Sequence, residues 1–394
     1  MATSTPITIV GGGVAGLVAS ITAAEAGSPV TLYEAHSTLG GRAQTSQPPF
    51  LANLGPHVLY SDGSAWAWLA QRRLVDGRSA RRAPLQALSS VRFRISGDLR
   101  RMPPLALVTA LGHRGRKAPV ESSFGEWADK CWGPETAQLL SNFAGVFSFD
   151  ADPGRLSAAF VWERLLRVST PKYPAVRYLQ RGWGSLVDRL ADRARALGVL
   201  IATSSPVDRL PEERPVIVAT ELAPARKLLG DDSLNWEGSD VALLDLGIES
   251  RRDDPFVVSD LDAPGWAERF SACDPTLAPP GHSLVQAQVG VHEEESLEAG
   301  VSRAEQLLDV GYPNWRERER WRRRSVLRSR SGALDLPGTS WPDRPRIERG
   351  DGVFLAGDMV AAPGLLSEVS FNSAVTSARL AVADSALSSG VLIP

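Results

Sequence analysis

Three groups of residues in this chain have the types and spacing to do chemistry. In the first, Gly11-x-Gly13-x-x-Gly16 directly follows the apolar run Ile7–Val10, and Glu34 with Ala35 ends a second apolar run, Val30–Tyr33. The glycines suit a tight turn at Gly11, close approach of a pyrophosphate at Gly13 and close helix–strand packing at Gly16. A helix starting at Val14 and Ala15 would aim free N–H groups at the phosphates, and Glu34 can accept hydrogen bonds from ribose hydroxyls. From this stretch alone the dinucleotide could be NAD or FAD. In the second group, Gly357-Asp358 follows the apolar Val353–Ala356, and Ser367-Glu368-Val369 opens a final helical stretch. Asp358 can accept from a cofactor's polyol chain or from a phosphate-bound water. The helix N-terminus would stabilise negative charge on a ring that takes up two electrons. The third group is Asn53-Leu-Gly-Pro-His57, where His57 reads equally as a group close to a cofactor ring or as a turn histidine bonded to backbone.

The elements that must hold these groups are legible at a coarse level. Ile7–Val10, an Ala-rich helix through Leu17–Ala26 and Val30–Tyr33 make a strand–turn–helix–strand unit with the acid at its end. A secretory leader over Leu17–Ala26 is not expected, because no basic segment precedes it and the glycine turn accounts for its apolarity. Ser185–Leu197 puts Leu186, Leu190, Ala194 and Leu197 on one helical face, while Gly198–Ile201, Val216–Ala219 and Val241–Ile248 read as buried strands. Helices are expected over Ser64–Ala80, Phe124–Phe149 and Ser296–Val310. Val91–Ile95 alternates with period two into the turn Ser96-Gly97-Asp98, a hairpin. Its Arg92 and Arg94, with Arg100 and Arg101, are read as the wet face of a sheet rather than the wall of an anion channel. Leu105–Leu111 is read as a core helix rather than a lipid-dipping segment. The arginine-dense Asn314–Arg330 is read as a turn and strand whose charge Glu317 and Glu319 partly offset, rather than an RNA- or membrane-binding patch.

A chain of 394 residues is long for one core, so two domains are expected. A net charge of -2 and pI near 6.3 argue against a nucleic-acid partner that needs a globally basic chain. Cys131 and Cys273 have neither metal-ligand nor redox-motif spacing, which points to two free thiols in a reducing compartment. No run of about 18 apolar residues is present to span a membrane.

Leu39-Gly40-Gly41-Arg42, just beyond Glu34, resembles the extension of the flavoprotein family that includes amine oxidases, phytoene desaturases and protoporphyrinogen oxidase. The resemblance implies that Gly41 and Arg42 lie along the pyrophosphate and flavin of FAD. Asn53–His57 resembles the family's "-LGPH-" passage past the flavin, which implies contacts at Gly55, Pro56 and His57. Ser205–Leu210 resembles its return to the nucleotide domain, with Val207 against the adenine, and the Val216–Leu229 stretch matches its "VIVAT…LL" passage. Gly357-Asp358 and Glu368-Val369 resemble its C-terminal flavin motif. The chain departs from the family at three places. Val58 stands where L-amino-acid oxidases carry a carboxylate-binding arginine, Arg181-Gly182 replaces a Gly-Gly pair, and none of the four lysines lies where many amine oxidases hold one near the flavin.

The implied fold is α/β: an interrupted Rossmann-type FAD-binding domain (1–75, 178–238 and 341–394) with an inserted α+β substrate domain (76–177 and 239–340). The implied protein is a cytoplasmic FAD-dependent oxidoreductase taking a hydride from a small organic substrate onto the flavin. FAD is bound non-covalently, since neither cysteine lies in a flavin motif, and no nicotinamide is expected because no second glycine fingerprint appears. His57 is the nearest catalytic candidate. Three alternatives stay open: a redox-neutral isomerase or mutase, a desaturase at a membrane surface, and a non-catalytic carrier of the same fold, as in Rab GDP-dissociation inhibitors. Membrane association is not favoured, and neither substrate, electron acceptor nor oligomeric state is readable.

Overall fold

The computed structural model describes residues 5–55, 57–170, 175–329 and 332–388. Ile7–Val10 is an interior strand of a six-stranded sheet, parallel to Val30–Tyr33 on one side and to Val216–Val218 on the other. Its apolar side chains are buried almost completely, the pattern of a parallel strand covered on both faces. Leu200–Ala202 extends the sheet beyond Val30–Tyr33. Val353–Leu355 and then Glu348–Gly350 extend it beyond Val216–Val218. Three distant stretches of chain therefore build one sheet. The helix Val14–Glu25 packs on the C-terminal helix Ser367–Ser388 and on Gly184–Ala196, within one apolar core.

A second sheet has seven strands. Glu319–Leu327, Val241–Glu249, His282–Gly290, Gly265–Glu268 and Val257–Asp260 are successively antiparallel, followed by the hairpin Arg92–Ile95 and Asp98–Arg100. The hairpin turns at Ser96 and Gly97 with positive φ at both, the geometry that two-residue hairpin loops favour. Helix Leu297–Gly311 covers the Leu244, Leu246 and Val285 side of this sheet. A third apolar cluster joins the helices Leu105–Gly112, Phe124–Trp132, Pro134–Ser148 and Ala158–Val168.

Several sequence expectations need correction. Ser64–Ala80 is not one helix; it ends at Gln71, and Arg73 adopts a positive φ that turns the chain. Phe124–Phe149 is two helices, because Gly133 at φ +84° breaks the first and Pro134 opens the second. Leu200 is 68% exposed, since its strand is the sheet's edge. Leu105–Gly112 is only half core: Leu107 and Ala110 are buried, whereas Leu105 is 79% exposed. The arginine-dense segment opens with a short helix, Trp315–Arg318, before its strand, and its charge is met mainly from other segments: Arg316, Arg318, Arg320, Arg322 and Arg323 pair with Glu305, Asp254, Glu249, Glu305 and Asp245.

Candidate functional site

Gly11 leaves the first strand at φ +108°, and a Cβ there would lie 2.6 Å from the Ala219 carbonyl oxygen. At Gly16 a Cβ would overlap the Gly11 carbonyl oxygen, so only glycine lets helix and turn close. Gly13 differs: a Cβ built on it meets nothing within 4 Å. It is the N-cap of Val14–Glu25, and no side chain caps that end. The helix therefore presents the N–H groups and partial positive charge of its first turn, around Val14 and Ala15, next to open space.

The Gly40–Arg42 turn lies directly over this loop. Gly40 N–H donates to the Gly12 carbonyl at 2.8 Å, and a Cβ at Gly41 would sit 3.7 Å from Gly13 Cα. Arg42 Nη2 pairs with Asp358 Oδ2 at 2.7 Å, joining the turn to the end of the last parallel strand. Gly357 is fixed there by its N–H donating to Ser373 Oγ at 3.0 Å. Glu34 is buried at the end of its strand; its carboxylate accepts from Gly12 N–H at 2.7 Å and from His36 N–H at 2.9 Å. Ala35 is exposed beside it. Ser205 N–H donates to the Glu34 carbonyl at 2.8 Å, which brings the half-buried Val207 and its loop alongside.

His57 is half-buried against the Trp183 ring, with centroids 5.5 Å apart. Its Nε2 lies 3.0 Å from the Arg42 carbonyl oxygen, so that nitrogen carries the proton. Burial pushes the imidazole down to about 4, leaving it neutral at physiological pH. A Cβ built on Gly55 would lie 3.6 Å from its ring, and Pro56 lies outside the described residues. Glu368 and Val369 are placed differently from the expected N–H donors. Their N–H groups donate to the Leu365 and Leu366 carbonyls at 3.1 and 3.2 Å, and the buried Glu368 carboxylate grips Arg167 through two contacts of 2.6 Å. Val369 and Asp358 line one cavity.

Sequence reasoning missed a polar row across the seven-stranded sheet. Glu268, Gln286, Asp245 and Arg323 stand in register on successive strands. Gln286 Nε2 donates to Asp245 Oδ1 at 2.8 Å and to the Asn53 carbonyl at 3.1 Å; Arg323 reaches Asp245 at 2.6 Å and the same Asn53 carbonyl. The Asn53 amide oxygen accepts from Trp183 N–H at 2.9 Å. The second sheet thus pins the loop that carries His57. Burial pushes the Asp245 carboxyl up against the pull of Arg323. It also pushes Glu268, whose partner is the Tyr178 hydroxyl, up to about 8. An aspartate inside the apolar VALLDLGI was the available signal. Among the described residues no cluster of His, Cys, Asp or Glu could hold a metal ion, and no helix is long and apolar enough to cross a membrane.

Residues 9–72, the glycine turn and first helix included, match the family described as NAD(P)-binding Rossmann-like domain. A stretch of 72 residues is 42% identical to an L-amino-acid oxidase of Siganus canaliculatus, covering 18% of this chain and 14% of that protein. Whole-chain likeness comes from solved structures. An oxidoreductase from Methanosarcina mazei superposes with TM-score 0.77 at 16% identity, over 95% of this chain and 99% of that one. Cyclohexylamine oxidase from Brevibacterium oxydans gives 0.72 at 13%, over 97% and 99%. Reduced UDP-galactopyranose mutase gives 0.68 at 13%, over 99% and 97%. The chain has the fold of these proteins.

Proposed function

We propose that the chain is an FAD-dependent oxidoreductase acting on a small organic substrate. One observation carries this reading: Gly13, Gly41, Arg42 and Asp358 converge at the uncapped N-terminus of the first helix, with open space in front of Gly13. The residues fit a pyrophosphate there. Gly11, Gly13, Val14, Ala15 and Gly16 supply the turn and its N–H groups, Gly41 and Arg42 the far side, and Glu34 with Ala35 the ribose end. Val207 would border the adenine, and Gly55, His57, Asp358, Glu368 and Val369 the flavin half. A flavin held there would supply two-electron chemistry toward a substrate C–H.

The chain's own contribution is positioning. His57 spends its one ring N–H on the Arg42 carbonyl, so it ties the two loops together and leaves Nδ1 as its only basic atom. Gln286 and Arg323 hold the same loop from the other sheet. The test is anaerobic mixing of FAD-loaded protein with a panel of amines and polyenes. Bleaching of the flavin band by one of them is the expected result. Turnover of a substrate with no electron acceptor and no bleaching would instead identify a redox-neutral flavoenzyme, the second reading, which the fold shared with the mutase keeps in view.

A further inference from the structure

Helix Ala158–Val168 carries a buried cation that makes no ion pair among the described residues. Arg164 is nine-tenths buried, its guanidinium stacked on the Phe160 ring with 3.5 Å from Cζ to the centroid. Its hydrogen bond runs from Nη1 to the Phe160 carbonyl at 3.0 Å, and among the described residues no carboxylate pairs with it. Glu163, next to it along the helix, is exposed, and the other carboxylates nearby are committed elsewhere. Asp335 holds the buried Arg344 through bonds of 2.9 and 2.8 Å, and Glu368 holds Arg167. Asp358 holds Arg42. Burial and the neighbouring Arg344 pull the Arg164 pKa down to about 10, which still leaves it charged at neutral pH.

Arg164 lines a small cleft, with about 20 Å³ open to the centre of a water-sized sphere, together with Phe147, Phe160, Arg344, Asp358 and Val369. Two walls of that cleft belong to the candidate cofactor site, and two are aromatic. A buried guanidinium is costly unless an anion meets it, and its planar fork matches the oxygens of a carboxylate or phosphate. An arginine kept for structure would be paired, as Arg344 and Arg318 are.

We propose that Arg164 recognises an anionic group, a carboxylate or phosphate, on the substrate that enters the cleft beside Asp358 and Val369. The inference rests on the flavoenzyme reading for its substrate, but its test does not. Sodium benzoate and inorganic phosphate are titrated separately into the full chain, with and without added FAD, against sodium chloride at equal ionic strength. Tryptophan fluorescence and melting temperature are read together. One of the two anions should bind saturably and at least about tenfold more tightly than chloride, and which one identifies carboxylate or phosphate as the group recognised. Arg164→Met should weaken that binding at least about tenfold, with Arg164→Lys intermediate.

The Met variant should melt no lower than the parent, because no carboxylate loses a partner, and its FAD affinity should be unchanged. Equal anion binding by Arg164→Met and parent would overturn the proposal. So would saturation of the parent by neither anion, a Met variant that melts lower, or a loss of FAD affinity, which would make Arg164 a cofactor ligand instead. A chain that binds the anion through Arg164 but takes up no FAD would remove the flavin reading and leave this one standing.

Discussion

Arg42 and Asp358, which come from opposite ends of the sequence, meet at 2.7 Å across the mouth of the glycine turn. Both are partly exposed, at 32% and 18% of their side-chain surface, so the pair contributes little to the fold by itself. Its location gives it a different use. The guanidinium is held beside Gly41 and Gly13, where phosphate charge would fall. Arg42→Ala should therefore weaken FAD binding about tenfold, or roughly 1.4 kcal/mol, while moving the melting temperature of the cofactor-free protein little. Fluorescence titration with FAD measures the first effect and calorimetry the second.

The glycines of the turn should separate into two kinds. Gly13 has ordinary extended backbone, φ -72° and ψ -176°, with open space around it. Gly13→Val should fold normally and lose FAD. Gly16→Ala would press a methyl into the Gly11 carbonyl, an overpacking cost of about 1–3 kcal/mol or more. Circular dichroism melts alongside flavin absorbance should show the first variant stable and colourless and the second destabilised.

The Asp245–Arg323 pair sits on a buried carboxylate with 1% of its side chain exposed. Arg323→Met would strand that charge and remove a bond to the Asn53 carbonyl, at a cost of about 3 kcal/mol. Asp245→Asn combined with Arg323→Met should recover much of the loss. Urea unfolding of the two single variants and the double variant reads the coupling.

Glu268 gives a pH signature. Its folded-state value of about 8 lies above its ordinary 4.5, so the folded protein holds a proton that the unfolded chain releases. This contribution to stability is complete below about pH 4.5 and is lost as pH rises through 8. Glu268→Gln should flatten the decline between pH 5 and 8 and raise stability at pH 8 by about 1–3 kcal/mol. An unchanged slope in thermal melts across that range would contradict it.

His57 titrates with the opposite sign. Its folded value is about 4 against an ordinary 6.5, so it contributes stability that is present above 6.5 and fades as pH falls toward 4. Replacing it with Gln, which can still donate to the Arg42 carbonyl, should remove that acid-side loss. NMR of the ring protons should find no histidine at this position titrating near 6.5.

The nucleotide-binding end was legible because its determinants are local. Ile7–Val10, the glycine spacing and Glu34 lie within one strand–turn–helix–strand unit, where period and turn chemistry act over a few residues. What remained hidden depends on contacts between distant segments. Arg164 looks like any surface arginine in VWERLLR until the fold brings it to one cleft with Phe147 and Val369. The row Glu268–Gln286–Asp245–Arg323 exists only through strand register. The direction of the Glu368 carboxylate was set by Arg167, far away in sequence, and the break at Gly133 by one glycine inside an otherwise helical pattern.

The account stands first on FAD. Purified protein, incubated with FAD and gel-filtered, should show a flavin absorption spectrum at about one cofactor per chain, released into the supernatant on denaturation because no covalent link holds it. Gly13→Val should show none. A parent protein that stays colourless after reconstitution would contradict the central claim.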